Sequence, residues 1–341
     1  MERREFLKRS LWALAAAGLA GRIRWLKSGV AQGAAETSEI AVVTGDGEEN
    51  ITFQAVGLMG GMGRFVKKGQ KVVIKPNIAW NRNVEQAANT HPEVVKALVK
   101  MCRQAGASQV VVIDNTCNPW NLTYVTSGIE AAVKEAGGLM KPPVSFKKVT
   151  LEKAVVLKEA EVLEEVLAAD VVINVPVVKV HGSQARVTIS MKNLMGVVKD
   201  RGFFHRSDLN RCIAEISSFV RPVLTVLDAT RVLLTRGPQG PGEVKVLKTV
   251  AAGTDFVALD TYGATLLGVN PETVGHIQIA AEMGLGEKDL ARVRRGCRNR
   301  EKQEIAQISR TTGMFYCVCS AFGQNKISAS RKSSGWLIFS G

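Results

Sequence analysis

Between residues 171 and 199 the chain reads VVINVPVVKVHGSQARVTISMKNLMGVVK, and no other stretch limits its possible folds so tightly. The run opens with Val171, Val172, Ile173, Val175, Val177 and Val178, interrupted only by Asn174 and Pro176. Such a β-branched, apolar run suits a strand covered on both faces, as in a parallel sheet between two layers of helices. Pro176 has no N–H for the ladder, so the regular strand ends or meets an edge there. Polar side chains follow at once: Lys179, His181, Arg186 and Thr188, then Lys192 and Asn193 after a second apolar beat. Ligands of open α/β sheets bind beyond the carboxyl ends of the strands. The stretch therefore predicts a buried strand that delivers polar chemistry to a sheet edge.

The rest of the body fits that frame. Strand patterns over 40–43, 71–75, 109–113, 223–227 and 244–250 alternate with helical patterns over 51–65, 129–136, 162–168 and 256–267. Thr90-His91-Pro92-Glu93 supplies an N-cap, an early proline and a capping-box glutamate for a further helix that ends at Gly106. Ser207-Asp208 starts another helix, Asp255 caps the one at 256, and Pro271 opens the last. The predicted fold class is α/β, a layered, mostly parallel or mixed β-sheet with helices on both faces. At 341 residues the chain has room for one large or two ordinary domains. The expected divisions are a signal segment over 1–35, an α/β domain over 36–297, and an aperiodic basic tail over 298–341 that reads as disordered.

Four predicted strands end on chemically useful residues: Lys75-Pro76-Asn77, Asp114, Lys179 with His181, and Asp228. Their recurrence at one sheet edge argues for a shared site more strongly than any single residue. Lys75, Lys179, Lys192 and Lys199 can attract an anion, while Asn77 and Asn193 offer neutral amide contacts. The expected roles place Lys179, His181 and Lys192 at the reacting centre, with Lys75, Asn77, Asp114, Asn193 and Asp228 around an anionic small molecule. The loop Gly237-Pro238-Gln239-Gly240-Pro241-Gly242 reads as a tight connection, because its two prolines remove donors that a phosphate cradle needs. Neither a P-loop nor a GxGxxG fingerprint is present, so no nucleotide motif is read.

A metal site built from His181 and His205, with Asp114, is the alternative, although none of these residues shows HExxH or paired-ligand spacing. Cys102 and Cys212 fall in amphipathic helical patterns, as small core residues do. Cys117, just past a predicted strand end, is the body cysteine in a site-like place. Cys317-Val318-Cys319 lies in the tail and makes no iron–sulfur motif.

The formal charge of +14 points toward nucleic acid until it is placed along the chain. Residues 1–30 carry +5 and residues 291–341 carry +8, which leaves +1 for the body. A nucleic-acid groove would put its charge on the folded domain, so that partner class is disfavoured. The first thirty residues read instead as a targeting segment, with Arg3-Arg4 before Phe6-Leu7-Lys8 and a short apolar run over 11–20. This arrangement resembles the bacterial twin-arginine signal. It predicts an exported, periplasmic protein that meets the twin-arginine export machinery. Arg22, Arg24 and Lys27 beyond the apolar run keep an uncleaved membrane tether open.

The segments VVIKPN, NTHPEVVKAL with AGASQVVVID, INVPVVKVHG with VTISMKNLMG, LDA, GPQGPG and AAGTDFVALD occur in an order that resembles the domain of unknown function 362 family. The resemblance covers roughly residues 40–290. It implies an α/β fold and a shared site, and it implies no established reaction. The family pattern has a lysine where this chain has Val177, so no role passes to that position. Many relatives carry a ferredoxin-like CxxCxxCxxxCP segment, which this chain lacks. The expectation is thus an exported protein with a basic Lys/His/Asn pocket for an anionic substrate or cofactor, acting as an enzyme or an oxidoreductase-associated protein. A non-catalytic periplasmic binding protein and a metal protein are its alternatives.

Overall fold

In the computed structural model, residues 39–299 are described, together with two short strands, Phe315–Cys317 and Ser328–Ser330, that pair antiparallel. The predicted signal segment and most of the predicted tail lie outside the described residues. Among the described residues no helix is long and apolar enough to cross a membrane.

The strands are β1 (Glu39–Thr44), β2 (Lys71–Pro76), β3 (Gln109–Val112), β4 (Leu139–Met140), β5 (Phe146–Thr150), β6 (Glu159–Leu163), β7 (Val171–Val175), β8 (Val177–Val180), β9 (Val187–Thr188), β10 (Leu224–Leu233), β11 (Val244–Gly253) and β12 (Arg294–Asn299). The main sheet runs β12-β1-β11-β10-β7-β2-β3-β4, and β8 and β9 branch from β10. The block β10-β7-β2-β3-β4 is parallel, whereas β11 pairs antiparallel with both β10 and β1. The sheet is mixed. β12 lies parallel to β1 and runs past the predicted domain boundary at 297.

Helices cover both faces, and the period-two alternation of the strands shows how. Val72, Ile74, Val110, Val112, Val171 and Ile173 belong to one core, with helices Glu48–Leu58 and Pro92–Gln104. Val73, Val111, Val172, Leu227 and Ala251 belong to the other, with helices Leu209–Val220, Phe256–Leu266 and Gly275–Glu282. From β2 the chain crosses to β3 over the first face, and from β7 it crosses to β10 over the second. The carboxyl ends of β2 and β7 are therefore the place where the winding reverses, and the crevice there is the favoured ligand position.

Three local predictions are corrected. The segment over 162–168 is not one helix: Glu159–Leu163 pairs antiparallel with Phe146–Thr150, and only Glu164–Leu167 is helical. The helix expected over 51–65 stops at Leu58, because Gly60 and Gly61 take positive φ before a 3-10 turn at Met62–Arg64. Helix Pro92–Gln104 is capped by His91, whose Nδ1 accepts from Glu93 N at 3.1 Å. Thr90 instead accepts from Asn77 N and donates to Val175 O, joining the ends of β2 and β7.

Candidate functional site

A cleft of about 390 Å³ opens beyond the carboxyl ends of β2 and β7. Alternation builds its floor. Lys75 and Asn174 stand opposite each other in the β2–β7 register and share the face that carries Val73 and Val172. The single polar residue inside the apolar run before Pro176 thus meets the last lysine of the neighbouring strand. Asn193, from the one-turn helix Ser190–Asn193, lies across both: its Nδ2 donates to Asn174 Oδ1 at 2.8 Å, and its Oδ1 accepts from Lys75 Nζ at 2.9 Å.

The floor is closely connected. The Lys75 ammonium donates to Asn193 Oδ1 and to the Pro76 carbonyl, and it forms an ion pair with Asp114 Oδ1 at 2.6 Å. Burial pulls this lysine below its ordinary value, and Asp114 opposes that pull. The other Asp114 oxygen accepts from Ile78 N. Asn77 donates to Asn193 Oδ1 at 3.1 Å and accepts from Lys179 Nζ at 3.2 Å. Lys75, Asn77, Asp114 and Asn193 are therefore brought together on the cleft wall, where their polar groups are largely engaged with one another.

The remaining cations differ. Lys179, 1% exposed, has two neutral oxygen acceptors, Asn77 Oδ1 and the Ala88 carbonyl, and no carboxylate among the described residues. Lys192, 8% exposed, has Met195 Sδ at 3.0 Å as its polar contact among the described residues. Burial is the main cause that pushes Lys179 down to about 7 and Lys192 down to about 8. Thr188 stands opposite Lys179 in the β8–β9 register, lines the cleft, and its buried hydroxyl has no hydrogen-bond partner among the described residues.

Arg201 closes one rim, donating to the carbonyls of Asn115 and Thr116 and to Cys117 Sγ at 3.3 Å. His181 and His205 complete the wall. Burial and then the lysines push His181 down to about 3, and His205 is also lowered, so both are neutral at pH 7. His181 Nδ1 accepts from Ser183 N at 3.0 Å, which leaves the ring proton on Nε2. The loop of residues 237–242 joins β10 to β11, and Pro238 reaches the cleft. Gly237 lies so close to β8 that a Cβ there would stand 1.9 Å from Val180 O. The tight connection also forms part of the wall.

Two expected ligand contacts are not brought to the cleft. Asp228 points its carboxylate at His91 N, Thr230 N and Thr230 Oγ1, spending its acceptors on two backbone amides and a neighbouring hydroxyl. Lys199 is exposed and pairs with Glu161 at 2.9 Å. The metal alternative fares no better: no group of three His, Cys, Asp or Glu able to hold an ion occurs among the described residues. Asp114 is matched to Lys75, His181 Nδ1 is occupied, and the cationic wall disfavours a cation.

Asp260 escaped sequence reasoning. From the helix Phe256–Leu266, its fully buried carboxylate accepts from Ser190 N at 2.6 Å and Met191 N at 3.1 Å, holding the turn that carries Lys192 and Asn193. Burial lifts it to about 7 and pushes neighbouring His276 down to about 3, so the 3.7 Å approach of the two is not an ion pair at neutral pH. Nothing local marks Asp260 as a cap, since its acceptors serve a turn 70 residues away.

Residues 72–265 match a family described as a domain of unknown function, DUF362. A thylakoid-associated protein of Synechocystis sp. is 28% identical over 246 residues, 67% of this chain and 72% of that protein. The lactate racemase apoprotein structure from Thermoanaerobacterium thermosaccharolyticum superposes with a TM-score of 0.45 at 10% identity. That alignment covers 69% of this chain and 58% of the racemase chain.

Proposed function

The chain belongs to the DUF362 family, and on that premise we propose that it is an exported α/β protein whose cleft binds a small anionic substrate or cofactor and transfers a proton to or from it. The observation that carries the proposal is the Lys192 ammonium, buried against a thioether with no carboxylate in contact. An unmatched buried charge is costly, and an anion in the cleft would offset that cost. Lys179 beside it, pushed down to about 7, exchanges a proton near neutral pH, as a general acid or base must. His181 adds a neutral ring with its proton on Nε2.

A binding protein without turnover would use the same two ammoniums. That second reading is favoured by Cys117, whose Sγ contacts Arg201 and no base among the described residues. Mass spectrometry and metal analysis on one sample of the protein from a native-like host test the proposal. Wild type should retain an anionic small molecule that the double variant Lys179→Met/Lys192→Met loses. Retention of a metal ion alone, or equal retention by the variant, would overturn it.

A further inference from the structure

The cleft is lined by four cationic side chains, Lys75, Lys179, Lys192 and Arg201, and by one carboxylate, Asp114. Asp114 is ion-paired with Lys75 at 2.6 Å, and that ammonium also donates to the Pro76 carbonyl and to Asn193 Oδ1. The Arg201 guanidinium is committed to two backbone carbonyls and to Cys117 Sγ. Among the described residues three of these cations stand without a carboxylate partner; Arg201 is half-buried at the rim, and the two that are buried are Lys179 and Lys192. Lys179 keeps one donor beyond Asn77 and Ala88, and Lys192 has only the Met195 sulfur among the described residues. The orphaned hydroxyl of Thr188 joins them: it is 5% exposed, lies directly across the strand pair from Lys179, and is four residues before Lys192. Cross-strand partners in an antiparallel pair project side by side. The donors thus comprise two ammoniums and one hydroxyl around one space.

We propose that the ligand of this cleft is a dianion, its two negative charges matched by Lys179 and Lys192 and one of its oxygens taking the Thr188 hydroxyl. The inference rests on the anion-binding reading above and names the class of anion. With both lysines protonated, a monoanion would leave one of the two buried ammoniums unmatched in a wall that contains no further free carboxylate. A neutral ligand would leave both. The dianion is chemically either a compact oxyanion head or a pair of carboxylates, and the same donors suit both.

Titration calorimetry on the whole protein at pH 6.5 with sulfate, malonate and acetate separates these possibilities. Sulfate and malonate are dianions there, one compact and one a dicarboxylate, and acetate carries a single charge. At least one dianion should bind ten times or more tighter than acetate. Lys192→Met should shrink that preference to about threefold or less. Thr188→Val should weaken the preferred dianion by severalfold, and as a nearly isosteric change it serves if the lysine variant does not fold. Acetate binding as tightly as both dianions would overturn the dianion class while leaving anion binding intact. No binding by any of the three would overturn both.

Discussion

The carboxylate of Asp114 lies 2.6 Å from the ammonium of Lys75, with the two side chains 2% and 1% exposed. Lys75 lies near the carboxyl end of β2 and Asp114 two residues past the end of its parallel neighbour β3, and Asn193 and the Pro76 carbonyl also accept from the lysine. The pair is thus the structural floor on which the unmatched lysines stand. Removing one member of such a pair leaves a buried charge alone and costs about 3–5 kcal/mol.

Lys75→Met and Asp114→Leu should each destabilise the protein by roughly that amount in urea titrations. The double variant should lose clearly less than the sum, since neither charge is then stranded. Strictly additive losses would show that the two side chains are not energetically coupled.

Gly196 faces the same pair. A Cβ there would lie 2.1 Å from Asp114 Oδ1 and 2.6 Å from Lys75 Nζ, with no positive φ to blame. Gly196→Ala should therefore cost about 1–3 kcal/mol through overpacking and weaken anion binding. Gly182→Ala, where the nearest atom is 3.5 Å away, is the control. Equal melting temperatures for the two variants would contradict the steric account.

Stability should rise with pH above neutrality. Lys179 and Lys192 titrate at about 7 and about 8 in the fold because burial penalises their charge, against about 10.4 in an unfolded chain. Between those values the unfolded chain holds protons that the native state has released, so unfolding becomes harder as pH increases. Wild type should gain more stability between pH 7 and 9.5 than Lys179→Met/Lys192→Met, measured by denaturant titration at each pH. Anion binding should follow the opposite trend, weakening across the same window as the ammoniums lose their charge. An identical pH slope in wild type and double variant would remove the lysines as its source.

Export is tested apart from the fold. Residues 1–40 fused to a folded reporter should carry it to the periplasm, and Arg3→Lys with Arg4→Lys should stop it. Unchanged export of the double variant would count against the twin-arginine reading.

Sequence alone determined the local features. The β-branched runs at 72–74 and 171–178, the latter interrupted only by Asn174 and Pro176, specify strands covered on both faces, and the structure buries them so. Asp208 and Asp255 cap the helices they precede, because a cap acts over two or three residues and its signal is short-range. The meeting of Lys75 and Asp114 at one edge follows from their positions at and just past the carboxyl ends of adjacent parallel strands.

Only the tertiary structure decided which of these groups is free. Asp114 and Asp228 both follow an apolar strand pattern, yet the first meets Lys75 and the second turns to His91 and Thr230. Lys75 and Lys192 look equivalent in the chain, yet one is ion-paired and hydrogen-bonded to oxygens and the other touches a sulfur. Asp260 supports a turn from 70 residues away. Periodicity and caps are encoded locally, whereas the partner of a buried charge depends on strand order and register across a hundred residues. That is why the sequence indicated a basic site but not which of its cations lack a partner.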